Sequence, residues 1–270
     1  MYQRRPPNIG VKQMISQDVY DNIIRIAQKY RYSSMRYLDY DDCKNAEILY
    51  DCNDWILLRD GGKTPALLHF ATDDFAGMMD RIADVPGKLR LNFVPQEFAA
   101  QAKEIGFTEW GEYVDCWNRD LASTAERLEQ TEAADYLGID ECAELSAMSR
   151  KCAAQSRGFE GESPEWFVEW LKENQVIVQR KVSGIVGYCC VSIYNEGTTL
   201  WIREIGVDPG HQGMGLGKRL MEQAIRYGVE RGAAQGFLAV DVLNANAIGL
   251  YESYDFYIKN TDSELQMVRL

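Results

Sequence analysis

In the C-terminal half of the chain, short apolar runs with a strand-like pattern alternate with segments of helical period. Turn residues separate the runs, and serine, proline and acidic residues mark helix starts. The predicted strands cover residues 176–182, 185–194, 198–207 and 237–243, followed by two in the tail. The predicted helices cover residues 140–156, a stretch from residue 163, residues 216–231 and residues 245–253. This mixture of elements indicates an α/β (α+β) fold.

The N-terminal half ends with a similar pattern. A strand followed by a short helix is predicted at residues 89–105, and an aromatic residue then begins another strand. From Leu91 to Phe107 is sixteen positions (107 − 91), as it is from Val240 to Phe256 (256 − 240). This spacing favours a weak internal duplication, and the alternative is chance recurrence of a common strand–helix–strand pattern.

Length and charge limit the classes of partner. The chain has 270 residues, which suffices for two domains. It carries 29 basic and 41 acidic residues, with a net charge of −12 at pH 7. Both halves are acidic, so no basic surface for nucleic-acid phosphates or an anionic membrane is expected. A cationic or amine partner suits this charge better.

The apolar runs and the cysteines indicate a cytoplasmic protein with reduced thiols. The longest apolar run, residues 185–194, has the length of a strand and is too short to span a membrane. The N-terminal segment has two arginines but no apolar stretch after them, so we expect no secretory signal. Seven cysteines lack metal-like spacing and only two histidines, His69 and His211, accompany them, so no metal is expected.

A glycine-rich loop between a predicted strand and a predicted helix carries the clearest chemical signal. Gly213, Gly215 and Gly217 alternate directly before the amphipathic helix. Glycine lets an anion approach the backbone closely, and the first amides of a helix have no partner within it. The helix dipole adds partial positive charge at the same place. The loop therefore predicts an anion site that suits a pyrophosphate.

Two nucleotide motifs do not fit this loop. The dinucleotide fingerprint requires a glycine three positions beyond Gly215, where Lys218 stands. The P-loop requires glycine at the position of Gln212 and serine or threonine at that of Arg219. The remaining alternative is a glycine-rich turn without a ligand, although glycines at a helix start each cost stability.

Residues 212–217, Gln-Gly-Met-Gly-Leu-Gly, resemble the acyl-coenzyme A loop of the GCN5-related N-acetyltransferases (GNAT), whose pattern is Gln/Arg-x-x-Gly-x-Gly/Ala. A second motif similar to the family's runs over residues 238–256 and includes Asn244 and Tyr251. One departure is Asp255, where the family usually has glycine. We expect this departure to alter a tight turn and not the chemistry.

The resemblance implies a mixed, mostly antiparallel sheet flanked by helices, and a set of residue roles. Amides of strand residues 204–207 would bind the pantetheine arm, and one of them would polarise the thioester carbonyl. Tyr251 would protonate the departing sulfur, and Asn244 would hydrogen-bond pantetheine. The residues implied in coenzyme binding are Ile205, Gly206, Val207, Gln212, Gly213, Met214, Gly215, Leu216, Gly217, Lys218, Asn244 and Tyr251.

The acceptor amine needs a base, and the residues leave this assignment open. Glu204 lies on the strand before the loop and is the first candidate. In the family, bases on this strand often project from the face that here carries Trp201 and Arg203. Strict alternation places Glu204 on the opposite face. Asp241, at the end of the next strand, is a second candidate.

Residues between the first two helices of this half are candidates for acceptor binding. Glu160 and Glu162 lie in that loop and would suit a cationic acceptor. Trp166 and Trp170 are one helical turn apart, and they form either core packing or a wall of the acceptor site.

The expected organisation is a tandem pair of GNAT-like domains, residues 1–122 and 131–270, joined by the polar stretch 121–134. The first lacks a glycine loop, so it is not expected to bind coenzyme A. The second is expected to move an acetyl group directly from acetyl-coenzyme A to a primary amine of a small molecule, amino acid or peptide. The alternatives are a non-catalytic acyl-coenzyme A sensor or scaffold, and an acyltransferase for longer acyl chains. The expected assembly is a monomer or a homodimer.

Overall fold

The computed structural model describes residues 15–36, 38–51, 54–62, 64–129, 132–259 and 263–270. The N-terminal segment, for which we expect no secretory signal, and Cys52 lie outside the described residues. The chain divides into two compact units, one of Met1–Gly111 with Glu264–Leu270 and one of Glu112–Ser263. Residues 112–122 are expected in the first domain but lie in the second unit, and residues 264–270 are expected in the second domain but lie in the first unit. The expected domain boundaries stay a prediction.

The described residues form thirteen strands and nine α-helices. The strands are β1 Tyr32–Ser33, β2 Glu47–Asp51, β3 Trp55–Asp60, β4 Ala66–Thr72, β5 Leu89–Val94, β6 Thr108–Asn118, β7 Asp135–Tyr136, β8 Gln175–Lys181, β9 Gly184–Tyr194, β10 Thr199–Val207, β11 Gln235–Asp241, β12 Tyr257–Ile258 and β13 Glu264–Arg269. The helices are α1 Gln17–Ala27, α2 Tyr40–Cys43, α3 Phe75–Ala83, α4 Ala99–Glu104, α5 Leu121–Glu126, α6 Cys142–Lys151, α7 Pro164–Trp170, α8 Leu216–Glu230 and α9 Ala245–Glu252.

The first unit has the strand order β2-β3-β4-β5-β13, with β1 beside β4. Of its described pairs, β4 and β5 are parallel and the others antiparallel. Helix α3 buries Phe75 and Met79 in one core of this unit. Helix α1 buries Ile23 in a second core, together with Ile56 and Leu58 of β3.

The second unit has the strand order β6-β11-β10-β9-β8-β7, with β12 beside β6. Among its described pairs, β10 and β11 are parallel and the rest antiparallel. Helix α8 packs Leu220 and Ile225 on one face of this sheet, and α6 and α7 pack Leu145 and Phe167 on the other. The expectation of a mixed, mostly antiparallel sheet flanked by helices is confirmed.

Local sequence explains why these helices begin where they do. Ser163 precedes α7 and accepts a hydrogen bond from the amide of Trp166 at 3.2 Å, and proline follows at the first helical position. Asn244 caps α9 by accepting from the amide of Ala247 at 3.1 Å. In α8 the apolar positions recur with helical period and are buried.

The elements predicted for the C-terminal half are confirmed, with shifts at their ends. The helix predicted at residues 140–156 is shorter, because α6 is flanked by 3₁₀ turns at Ile139–Glu141 and Ala153–Gln155. In both units the strand that carries the predicted repeat, β5 or β11, belongs to the parallel pair. The duplication itself stays a prediction. Within the described part of the chain, no helix has the length and apolar character needed to cross a bilayer.

Asp255 occupies a left-handed turn after α9, with φ of +61°. Its carboxylate accepts a hydrogen bond from the Thr124 hydroxyl at 2.7 Å and pairs with Arg127. These contacts join the turn to α5. The left-handed backbone explains why a glycine suits this position, and the side-chain contacts explain how an aspartate is held there.

We expect Asp255→Ala to lower the free energy of unfolding more than Asp255→Gly. Both variants lose the contacts to Thr124 and Arg127, but only alanine keeps the steric cost of the left-handed backbone, about 1 kcal/mol. Urea unfolding of the two variants and the wild-type protein measures the difference. Equal stability of the two variants would contradict the assignment of strain to this turn.

Candidate active site

A cleft opens where two parallel strands separate. β10 and β11 are paired from Thr199–Gln235 to Trp201–Phe237. Beyond that point, the next residues of both strands line a cleft of about 890 Å³. The outer edges stay paired, β10 with β9 and β11 with β6. Backbone N–H and C=O groups on the inner edges are therefore left without a strand partner in the described structure, and a ligand can bind them.

A β-bulge in β10 changes the face that Glu204 occupies. Ile202 and Glu204 lie opposite consecutive residues of β9, so Arg203 is an extra residue in the strand. Because one inserted residue reverses the alternation, Glu204 lies on the same face as Trp201. The expectation that Glu204 points to the opposite face is wrong, since it assumed a regular strand.

The Glu204 carboxyl is buried in the wall of the cleft, with its side chain 10% exposed. Its Oε2 accepts a hydrogen bond from Nη1 of Arg203 at 3.2 Å. Its Oε1 is buried and has no hydrogen-bond partner among the described residues. Burial raises the pKa of this carboxyl to about 9, and the nearby charge of Glu162 adds to the rise. The carboxyl is therefore protonated at neutral pH in the free protein.

The glycine loop has a backbone that requires glycine at two positions. Gly213 and Gly215 have φ of +74° and +77°, in the left-handed region. An added Cβ at either position would meet no atom within 4 Å, so the space in front of the loop is open. Gly215 is also the N-cap of α8, whose first amides face the same space. This arrangement is an open cradle for an anion at a helix N-terminus.

The residues predicted to bind the coenzyme lie together around this cleft. Those that line it are Ile205, Val207, Gln212, Gly213, Gly215, Leu216, Gly217, Lys218, Asn244 and Tyr251. Gly206 lies against the ring of Tyr188 instead, where an added Cβ would be 2.5 Å from a ring carbon. Met214 is 60% exposed and does not line the cleft. The roles of all these residues stay predictions.

Tyr251 and Asn244 reach the cleft from α9 and its N-cap. Tyr251 is buried, and burial raises the pKa of its phenol well above the usual value, so it keeps its proton at neutral pH. The Asn244 side chain is engaged as a cap, and its Nδ2 donates to the carbonyl of Gln155 at 3.4 Å. An interaction of Asn244 with pantetheine would be made in addition to these bonds.

Sequence reasoning missed the segment that follows α6, which is bonded to both separated strands. Gln155 Nε2 donates to the carbonyl of Val207 at 2.9 Å, and Arg157 Nη2 donates to Asp241 Oδ1 at 2.8 Å. Burial works to raise the pKa of Asp241, but the hydrogen bonds from Arg157 and the Leu243 amide outweigh it and lower the pKa. Asp241 is therefore an ion-paired anchor, which explains why this candidate base has no free carboxylate oxygen.

The four residues considered for acceptor binding differ in their surroundings. Glu162 pairs with Arg203 at 2.8 Å, so its charge is compensated, whereas Glu160 is exposed. Trp166 and Trp170 stack with their ring centroids 5.2 Å apart and pack against the core under α6 and α7. Neither tryptophan lines the cleft.

Two further observations concern metal binding and the cysteine of the cleft. Over the described ranges, no cluster of histidine, cysteine and carboxylate side chains that could hold a metal is found. Cys152 lines the cleft, but burial and the charge of Glu204 raise the pKa of its thiol to about 11. A thiol with this pKa is protonated at neutral pH and is a weak nucleophile.

Comparison with known proteins finds a family match over part of the chain. Residues 126–256 match the acetyltransferase (GNAT) family. Streptothricin acetyltransferase of Streptomyces lavendulae is 38% identical over 81 residues, which are 30% of this chain and 43% of that protein. Mycothiol acetyltransferase of Catenulispora acidiphila is 32% identical over 76 residues, 28% of this chain and 24% of that protein. The chain thus spans less than half the length of either relative.

Solved structures share the fold at low sequence identity. A GCN5-related N-acetyltransferase from Sphaerobacter thermophilus is 16% identical, with a TM-score of 0.54 over 80% of this chain and 76% of that chain. A GCN5-related N-acetyltransferase-like protein from Streptococcus suis is 14% identical, with a TM-score of 0.55 over 92% of this chain and 97% of that chain. These likenesses concern the fold alone.

We expect Glu204→Gln to stabilise the protein in a pH-dependent way. The folded protein holds the proton of Glu204 up to about pH 9, whereas the unfolded chain releases it near the ordinary value of 4.5. The folded state binds more protons in this window, so wild-type stability falls relative to the variant as the pH rises through it. Urea unfolding across the window measures the difference, with the exposed Glu169→Gln as the control. A difference that does not change with pH would contradict the burial of an uncharged carboxyl.

Proposed function

We propose that this chain, whose residues 126–256 match the acetyltransferase (GNAT) family, is an acetyl-coenzyme A-dependent N-acetyltransferase that acts on a primary amine. The acceptor would be a small molecule, an amino acid or a peptide. One observation carries the proposal: the unpaired inner edges of β10 and β11 and the open glycine cradle before α8 border the same cleft. An extended chain that ends in a pyrophosphate fits a strand edge followed by an anion cradle.

The residues around the cleft are suited to hold acetyl-coenzyme A. Amides of residues 212–218 would bind the pyrophosphate, and exposed Lys218 would add positive charge. Backbone groups of residues 204–207 would bind the pantetheine arm, since β11 does not pair with them. Acetyl-coenzyme A supplies the acetyl group as a reactive thioester.

Glu204 is the base that we assign to the acceptor. The bulge at Arg203 brings its carboxyl to the face of Trp201, Glu204 lines the cleft, and its buried Oε1 has no hydrogen-bond partner among the described residues. A pKa of about 9 is close to that of an alkyl ammonium group, so proton transfer between the two is nearly balanced. The carboxylate form accepts the proton, which predicts that the rate rises with pH until Glu204 is ionised.

Tyr251 is the acid that we assign to the departing sulfur. Its phenol is neutral at the pH at which Glu204 ionises, because burial raises the phenol pKa further. A neutral hydroxyl that lines the cleft is able to donate its proton through Oη. Cys152 carries a protonated thiol, so direct transfer to the amine is favoured over an acyl-cysteine.

The charges near the base favour an amine acceptor. Glu162, Glu204 and Arg203 together carry a net charge of −1 once Glu204 is ionised, and this charge attracts an ammonium group. The names of the relatives describe acetyl transfer, in agreement with this reaction. The tandem arrangement, with residues 1–122 as a degenerate GNAT-like domain, is part of the proposal, and the single parallel pair described in each unit supports it.

Incubation with acetyl-coenzyme A and a panel of primary amines tests the activity. We expect release of the coenzyme A thiol and an acetylated amine, both measured together by thiol titration and mass spectrometry. Succinyl- and longer acyl-coenzyme A compounds serve as comparisons for acyl preference. Binding of acetyl-coenzyme A by calorimetry without turnover of any amine would favour the sensor alternative. Absence of binding would contradict the assignment of the glycine loop.

We expect Tyr251→Phe to lower kcat about 100-fold or more while the Kd for acetyl-coenzyme A changes little, because the hydroxyl acts on the departing sulfur. The matched control is Tyr257→Phe, which removes a hydroxyl on exposed β12 outside the cleft. A Tyr251→Phe variant with wild-type kcat at pH 7 to 9 would contradict the acid role.

A further inference from the structure

Arg203 lies between two carboxylates, and it leaves one carboxylate oxygen free. Its Nη2 donates to Oε1 of Glu162 at 2.8 Å, and its Nη1 donates to Oε2 of Glu204 at 3.2 Å. The guanidinium also lies over the ring of Trp166, 4.1 Å from the centroid, and 5.7 Å from that of Trp170. These contacts hold the guanidinium in one plane, since arginine stacks well on aromatic rings.

The chain before α7 is built to place Glu162. Its amide donates to the Ser149 hydroxyl at 3.0 Å, and its carbonyl accepts from the Ser146 hydroxyl at 2.7 Å. Both serines are buried on α6. The preceding Gly161 has φ of +81°, and an added Cβ there would lie 2.8 Å from the backbone of Arg150. The backbone of Glu162 is therefore anchored on both sides, independently of its ion pair.

We propose that Glu162 and Arg203 are a positioning pair for Glu204: Arg203 holds Oε2 and leaves Oε1 without a hydrogen bond, and Glu162 takes up part of the charge of Arg203. This inference rests on the proposed function of Glu204 as the base. Neither Glu162 nor Arg203 takes the proton of the acceptor. Their effect is on the orientation of the carboxyl and on the pH at which it ionises.

The opposing charges explain why both partners are needed. An arginine paired with Glu204 alone would favour the carboxylate and make it a weaker base. Glu162 weakens that effect by binding the same guanidinium, and its own charge disfavours a second carboxylate nearby. The other titratable groups packed near Glu204 are the thiol of Cys152 from the end of α6 and the thiol of Cys190 on β9, and burial keeps both protonated. Burial is the main cause of the raised pKa of Glu204, and Glu162 and Arg203 are the charged side chains beside it that adjust this pKa.

The pair is tested first without any substrate. For the wild-type protein and for each variant, the stability is compared with that of the same protein carrying Glu204→Gln. The pH dependence of this difference gives a midpoint, which is the pH at which Glu204 ionises in the folded state. We expect Glu162→Gln to move this midpoint to lower pH by about one unit or more, and Arg203→Gln to move it to higher pH. Glu169→Gln, which removes the same charge from an exposed site of α7, should leave it in place.

Shifts in opposite directions distinguish positioning from general damage to the fold, because damage would not reverse its sign between the two variants. An unchanged midpoint in Glu162→Gln, or a shift to higher pH, would overturn the proposal. If Glu162→Gln does not fold, the test depends on Arg203→Gln alone. A midpoint at the same pH as in the wild-type protein, or at a lower pH, then overturns the proposal. Carbon-13 NMR of the Glu204 carboxyl in each folded variant gives an independent value.

A kinetic measurement separates this proposal from the proposed function. With an accepted amine, the acidic limb of kcat/KM should shift with the same sign and size as the stability midpoint in each variant. A midpoint that shifts while the kinetic limb does not would support the effect of the pair on the ionisation of Glu204 and contradict the role of Glu204 as base. A kinetic limb that shifts without the midpoint would overturn the pair.

Discussion

The structure of the second unit depends on one requirement, the satisfaction of backbone hydrogen bonds in its sheet. β10 and β11 pair for three residues and then separate, although each stays paired on its outer edge. Unpaired buried amides and carbonyls cost free energy, so an open gap between strands is retained where a ligand or another segment can pair with it. Gln155 already does so at the carbonyl of Val207. The cleft, the glycine loop and the base candidate are all arranged along this gap.

A single extra residue in β10 determines on which face of the sheet the Glu204 carboxyl lies. With a regular strand, Glu204 would face the side of α8, where the apolar core contains Ile202 and Leu220. The bulge at Arg203 turns Glu204 to the side of α6 and α7 and places the arginine next to it. A bulge weakens the ladder locally, so its presence at the carboxyl is consistent with a functional origin.

Much of the fold follows from the periodic pattern, and the glycine loop follows from its composition. Helix α8, strands β8 to β11 and the cradle at Gly213 and Gly215 are local features, which adjacent residues specify. The bulge is different, because only the pairing of Ile202 and Glu204 with consecutive residues of β9 shows that Arg203 is inserted. The bond between Arg157 and Asp241 joins residues 84 positions apart, so no local pattern could predict it.

The same distinction explains why the sequence leaves the choice of base open between Glu204 and Asp241. The ionisation of a carboxylate depends on burial and on charges brought from other elements, here Arg203 beside it and Glu162 from the segment before α7. The sequence suggests Glu162 as an anion for a cationic acceptor, whereas in the structure its carboxylate pairs with Arg203. In the proposed function, the negative charge nearest the acceptor is therefore that of Glu204 once it ionises. An acceptor whose binding depends on this charge would bind more tightly as the pH rises, until its own ammonium group loses its proton.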